Sequence, residues 1–227
     1  MDYRALVTIP LAALVLSVSA AAPRLPDDWH LEAIVHHMQP TGGPGYEAGL
    51  DPAAEATGTP VLRLRSTNPP QLPVPASVGS VSQQASGYGG QRVRFSADVR
   101  AASGSRWAGL YMTPGGPNQL VRTARGAPGV EHRLPIGAAV PPATDWQRVS
   151  VVIDVPREAP LLTVGLALVG EGEVAMRRPS FEVVGRDVPV TTTPVGIDWA
   201  AARENVAQTK RVMAALPPAP LVNAQLD

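Results

Sequence analysis

Residues 90–100 read GQRVRFSADVR, in which Val93, Phe95, Ala97 and Val99 alternate with Arg92, Arg94, Ser96, Asp98 and Arg100. A period of two residues puts the apolar set on one face of a strand and the charged set on the other. The pattern recurs. In VLRLRS (61–66), Leu62 and Leu64 alternate with Val61, Arg63 and Arg65. In WQRVSVVIDV (146–155), Val149, Val151, Ile153 and Val155 share a face, and LLTVGLALVG (161–170) turns Leu162, Val164, Leu166 and Leu168 inward. Further strands are predicted over 29–38, 77–84, 106–113, 119–123 and 173–185, with Pro179 marking an edge or a bend in the last. Residues 39–60 are dense in Gly and Pro and read as loop, and 119–145 is the least patterned stretch. About eight short strands with no helical pattern among them imply an antiparallel sandwich or barrel, not a βαβ fold.

The ends differ from this body. MDYR is followed by an apolar run over 5–22, with small residues at Val18, Ser19 and Ala20. That is the plan of a signal peptide, so 1–22 is expected to be removed on export; the alternative is an uncleaved membrane anchor. Either reading places the rest in the periplasm or outside the cell. A β-sandwich is expected over 23–186 and an extended linker over 187–197. A helix over 198–216 is capped by Asp198, with Trp199, Ala202, Val206, Met213 and Leu216 on one side, and 217–227 is a tail.

Composition narrows the function. The formal net charge of zero leaves no basic excess to neutralise phosphates, which argues against nucleic acid as a partner. With no cysteine there is no disulfide, thiolate metal site or cysteine nucleophile. The 25 Pro and 21 Gly fit many turns better than long helices.

The blocks YEAGLD (46–51), LRS (64–66), GSVSQQ with YGGQRVRFSADVR (79–100), WAGLYM (107–112), DWQRVSVVIDVP (145–156) and FEVVGRDVPVT (181–191) resemble, in order and spacing, a bacterial galactose-binding-like or carbohydrate-binding-module-like jelly-roll module. Such modules occur in exported proteins and in some transcriptional regulators. The resemblance spans roughly 25–191 and implies a two-sheet antiparallel jelly-roll β-sandwich without naming a ligand. Two places depart from the family pattern. An aromatic-Asp-Asn-Met stretch is replaced by VRTARGAPG (121–129), and a Trp-hydrophobic-Asp-Asp stretch by Ala175-Met176-Arg177-Arg178. Modules of this kind often carry a structural calcium. Glu47, Asp51 and Glu182 are the candidate oxygens here, without the acidic pair that would strengthen the site.

No enzyme motif stands out, and no activity is expected. The histidines, His30, His36, His37 and His132, lack metal-ligand spacing, and no serine sits on a Gly-x-Ser-x-Gly elbow. Asp98 and Asp154 lie on polar strand faces, and only their separation could make them a hydrolytic pair. The candidate ligand site is a sheet face. Trp107 and Tyr111 would stack on a sugar ring, and Arg94, Asp98 and Arg148, on a neighbouring strand, would bond its hydroxyls. The competing reading makes the two rings packing residues and the arginines partners of Asp98 and Asp154 in cross-strand ion pairs. The functional expectation is an exported, non-catalytic module without a cofactor, binding a glycan or another small polar envelope component. The alternatives are a structural or protein-interaction domain of the envelope, and an accessory domain of an enzyme or regulator encoded elsewhere.

Overall fold

In the computed structural model the alternating segments pair into two five-stranded antiparallel sheets, described over residues 24–34, 45–67, 78–116 and 134–197, with Arg211 and Ala215. The strands are β1 (His30–Ile34), β2 (Tyr46–Leu50), β3 (Val61–Ser66), β4 (Val78–Ser86), β5 (Arg92–Ala101), β6 (Ser105–Pro114), β7 (Ile136–Ala139), β8 (Gln147–Asp154), β9 (Leu161–Gly170) and β10 (Glu173–Val183). Sheet I has the order β1-β4-β9-β6-β7 and sheet II the order β2-β3-β10-β5-β8. The strand pattern left sandwich or barrel open; the fold is the jelly-roll β-sandwich that the family resemblance implied.

The apolar faces meet as expected. Val93, Phe95, Ala97 and Val99 of β5 and Val151 and Ile153 of β8 pack against Leu110 and Met112 of β6 and Leu162, Leu166 and Leu168 of β9. Burial of such side chains is worth about 1.5–3 kcal/mol each, the main source of stability in a sandwich without disulfides. Tyr46 crosses from sheet II toward β4, and only glycine leaves it room. A Cβ on Gly79 would lie 2.5 Å from the Tyr46 ring, whose hydroxyl donates to the Gly170 carbonyl at 2.8 Å.

Three elements were not legible in the pattern. β2, a short α1 (Pro52–Glu55) and β7 lie in stretches read as loop. β2 and β7 are edge strands of five and four residues, too short to show a period. The Asp51 side chain caps α1 by accepting from Ala53 N at 3.1 Å, with proline at its start. Residues 187–197, expected as an extended linker, are tied to both sheets. Thr191 N donates to Val152 O at the edge of sheet II, and Val195 N to Pro135 O beside β7 at the edge of sheet I. The expected signal segment, the strand over 119–123 and the tail lie outside the described residues. So does the C-terminal helix, apart from Arg211 and Ala215, which are helical. Among the described residues no helix is long and apolar enough to cross a membrane.

Candidate functional site

The outer face of sheet II carries the arginines as a ladder of ion pairs. Arg92 holds Asp154 through two bonds, Nε–Oδ1 at 2.9 Å and Nη2–Oδ2 at 2.8 Å, and Arg186 joins them at 3.1 Å. Arg94 holds Glu182 at 2.8 Å across the β5–β10 register. Asp98, 4% exposed, is covered by arginines rather than by the core. Arg178 reaches its Oδ2 through Nε at 2.7 Å and through Nη2, and Arg148 and Arg177 approach it at 3.4 Å. Burial pushes the Asp98 carboxyl up, but the bonds and charges of Arg178 and Arg148 outweigh it and hold it below the usual carboxylate range. The bond from Arg92 does the same for Asp154 against a smaller effect of burial. Trp146 lies beneath two guanidinium groups, Arg100 at 4.7 Å and Arg177 at 4.4 Å from its ring centre.

Trp107 and Tyr111 are elsewhere, which corrects the expected grouping. β6 belongs to sheet I, whereas β5 pairs with β8 and β10 in sheet II, so the two rings and Arg94, Asp98 and Arg148 lie on opposite outer faces of the sandwich. The two strands, consecutive in the chain, were expected to be neighbours, but the chain crosses from sheet II to sheet I between β5 and β6. Neither ring is open to solvent: Trp107 is 9% and Tyr111 0% exposed. Trp107 is wedged between two glycines, where a Cβ on Gly137 or on Gly196 would lie 2.7 or 2.5 Å from its ring. It packs with Val195 and Ile197 and so pins residues 193–197 to sheet I. Tyr111 lies beside Gly165, its buried hydroxyl facing those of Ser80 and Ser82. Burial, aided by the charge of Glu32, pushes that hydroxyl above the usual phenol range, with the Ser80 and Ser82 hydroxyls opposing.

A different place offers ring faces beside polar groups. A cleft of about 350 Å³ opens between the sheets, lined by Trp29, Gln83, Gln84, Phe95, Ser180 and Phe181, among others. A one-residue bulge in β10, between Arg177 and Ser180, shapes its rim. At the bulge Arg178 takes a φ of 50°, a conformation rare outside glycine. Phe181 is held by Tyr88 in an edge-to-face contact with ring centres 4.9 Å apart. Trp29 follows a turn in which Asp28 has a φ of 62° and Trp29 N donates to Pro26 O at 3.2 Å. Both rings are half-buried. Gln83, paired with Val164, shares the inward face of β4 with Val81, whereas Gln84, paired with Thr163, turns its buried Nε2 to the outer face of sheet I. Sequence reasoning missed this cleft because its residues come from a loop, β4 and a bulge, which share no periodicity. Pro179 was the one local signal.

The remaining chemical expectations can be tested against the same geometry. Asp98 and Asp154 lie six residues apart along the β5–β8 ladder, facing Arg148 and Arg92 respectively. At about 3.3 Å per residue that is roughly 20 Å, well beyond the roughly 5–9.5 Å used by pairs of glycosidase carboxylates. The candidate calcium oxygens do not converge. Glu47 pairs with Arg65 and Asp51 with Arg63 beside β2, while Glu182 pairs with Arg94. No cluster of three His or acidic residues suited to a metal occurs among the described residues. These carboxylates therefore do not fit a calcium site. His30 is exposed on β1, and His36, His37 and His132 lie outside the described residues.

No protein-family model and no curated protein matches the chain. Solved structures do resemble it. The CBM22-1 xylan-binding domain from Paenibacillus barcinonensis is 12% identical with a TM-score of 0.45, over 71% of this chain and 88% of that one. The CBM22-1 and GH10 modules of a Clostridium thermocellum xylanase are 12% identical with a TM-score of 0.37, over 71% of this chain. The enzymatically active domain of a tailspike protein from bacteriophage CBA120 is 11% identical with a TM-score of 0.43, over 70% of this chain. The chain spans only 26% of the xylanase modules and 20% of the tailspike domain.

Proposed function

We propose that the chain is an exported, non-catalytic binding module that takes a carbohydrate in the cleft between its sheets. One observation carries this reading: half-buried Trp29 and Phe181 rings stand in the same cleft as Gln83, with Ser180 at its rim. A sugar ring has an apolar C–H face that packs on an aromatic ring and an edge of hydroxyls that accept from amides, so it satisfies both parts of this lining. The non-catalytic part of the reading is supported by the arginine-bound state of Asp98 and Asp154 and by their separation. Export is inferred from residues 1–22.

The test is a glycan array followed by calorimetric titration of the purified chain. Binding of neutral oligosaccharides at micromolar to millimolar Kd, reduced about tenfold or more in Trp29→Ala, is the expected result, since one stacked ring is worth on the order of 1–2 kcal/mol. No binding to any glycan, or binding indifferent to Trp29→Ala, would overturn the reading. The alternative of a structural or protein-interaction domain draws on the outer face of sheet II, where ion pairs run across β5, β8 and β10.

A further inference from the structure

The chain is neutral overall, yet its charges are unevenly placed. Along most of the sheet II ladder each arginine has a carboxylate close at hand: Arg65 with Glu47, Arg63 with Asp51 and Glu173, Arg94 with Glu182. At the β10 bulge the ratio changes. Arg148, Arg177 and Arg178 converge on the single carboxylate of Asp98, the one acidic partner recorded for them among the described residues. Arg100 adds a fourth guanidinium over Trp146. The cluster is open to water, with Arg178 65% and Arg148 47% exposed at the side chain. The cluster stands on the outer face of sheet II and meets the cleft only at its rim, where Pro179 and Ser180 follow Arg178 in β10. There the Ser180 Oγ accepts from Arg148 Nη2 at 2.8 Å, and Arg148 Nη1 donates to the Arg178 carbonyl at 2.7 Å.

From this placement we propose that the arginine cluster at the bulge is an anion subsite of the sugar cleft, selecting oligosaccharides that carry a carboxylate, such as uronic acids. The proposal rests on the reading of the cleft as a carbohydrate site. The cluster already holds one carboxylate: Arg178 reaches one oxygen of Asp98, Oδ2, through both Nε and Nη2, while Arg148 approaches the other, Oδ1, at 3.4 Å. The bonds to Asp98, Ser180 and the Arg178 carbonyl occupy only part of the donors of three guanidinium forks. A surplus of positive charge just beyond the rim at Ser180 favours an anionic group on a ligand that runs out of the cleft over that rim.

The experiment titrates the full chain with an oligogalacturonate and with the same oligosaccharide fully methyl-esterified, which differs only in charge. The acid form should bind at least about tenfold more tightly, the worth of one charge-assisted hydrogen bond, and half-molar salt should erase most of that preference. Arg148→Gln and Arg178→Gln should each lower affinity for the acid form and leave the ester unchanged, with Arg178→Lys intermediate. Thermal melts of each variant confirm that it is folded. Equal binding of acid and ester would overturn the anion subsite and leave the cleft reading standing. Failure of both to bind, together with every neutral glycan, would overturn the cleft reading and this proposal with it. Tight binding of polyglutamate, insensitive to Trp29→Ala, would also overturn it, because the cluster would then recognise charge without sugar.

Discussion

Trp107 shows how one residue type reads differently in sequence and in space. In sequence it stands with Tyr111 on one side of a strand, as a stacking platform would. In the fold the glycines at 137 and 196 close on it, and its ring pins Val195 and Ile197 to sheet I. Trp107→Ala is therefore predicted to destabilise by about 3 kcal/mol or more, read as a lowered midpoint in urea, whereas Trp107→Phe costs less and leaves glycan affinity unchanged. A loss of glycan affinity in the Phe variant, with stability intact, would restore Trp107 as a ligand contact. Gly79 is the matching small residue. Gly79→Val forces the Tyr46 ring aside and should cost on the order of 1–3 kcal/mol by the same measurement. Neither dependence was visible in the sequence, because a glycine's packing partner is set by sheet pairing and not by its neighbours in the chain.

Among the elements, long strands with a clean period were legible and short edges were not. β3 and β9 run over the residues expected, and the expected inward sets of β5, β8 and β9 form the core. β2 and β7 escaped because an edge strand of four or five residues needs little pattern once a neighbour supplies its hydrogen bonds. The segment 187–197 escaped for a related reason. Its bonds run to two different sheets, through Thr191 to Val152 and through Val195 to Pro135, so it never shows the period of either. It lies against the edge strands β7 and β8, where exposed edges would otherwise invite pairing with other chains. Val195→Asp puts a charge among buried Trp107, Val169 and Ile197 and should release this strap. Hydrogen exchange is predicted to quicken at Gly137 and Val152, whose amides bond Thr193 O and Thr191 Oγ1, while β4 and β9 stay protected. Uniform quickening across both sheets would show that 187–197 is not a separable element.

For the molecule as a whole, zero net charge conceals a face organised by arginine–carboxylate pairs, and acid should weaken it. Asp98 and Asp154 are both held below the ordinary Asp value, about 3.9 in an unfolded chain. Groups so depressed add stability that is fully present above that value and is lost as the pH falls through their folded-state values. The urea midpoint should hardly respond to these two groups above about pH 5 and should fall below about pH 4. In the Asp98→Asn, Asp154→Asn double variant the acid slope should be shallower. An unchanged slope would mean that other groups govern acid unfolding. Alternation made the antiparallel strands and their charged faces legible but left sandwich or barrel open, and the family resemblance chose the sandwich. The cleft was not legible, because Trp29, Gln83 and Phe181 meet only after a turn, a strand and a bulge are placed together. The measurement that bears most directly on the cleft as a carbohydrate site is side-chain nuclear magnetic resonance during titration with a bound oligosaccharide. The predicted result is that the Trp29 indole and the Gln83 amide signals shift in a saturable way while the Trp107 indole stays still. Shifts confined to Trp107 and residues 193–197, or no saturable shift at all, would contradict the account.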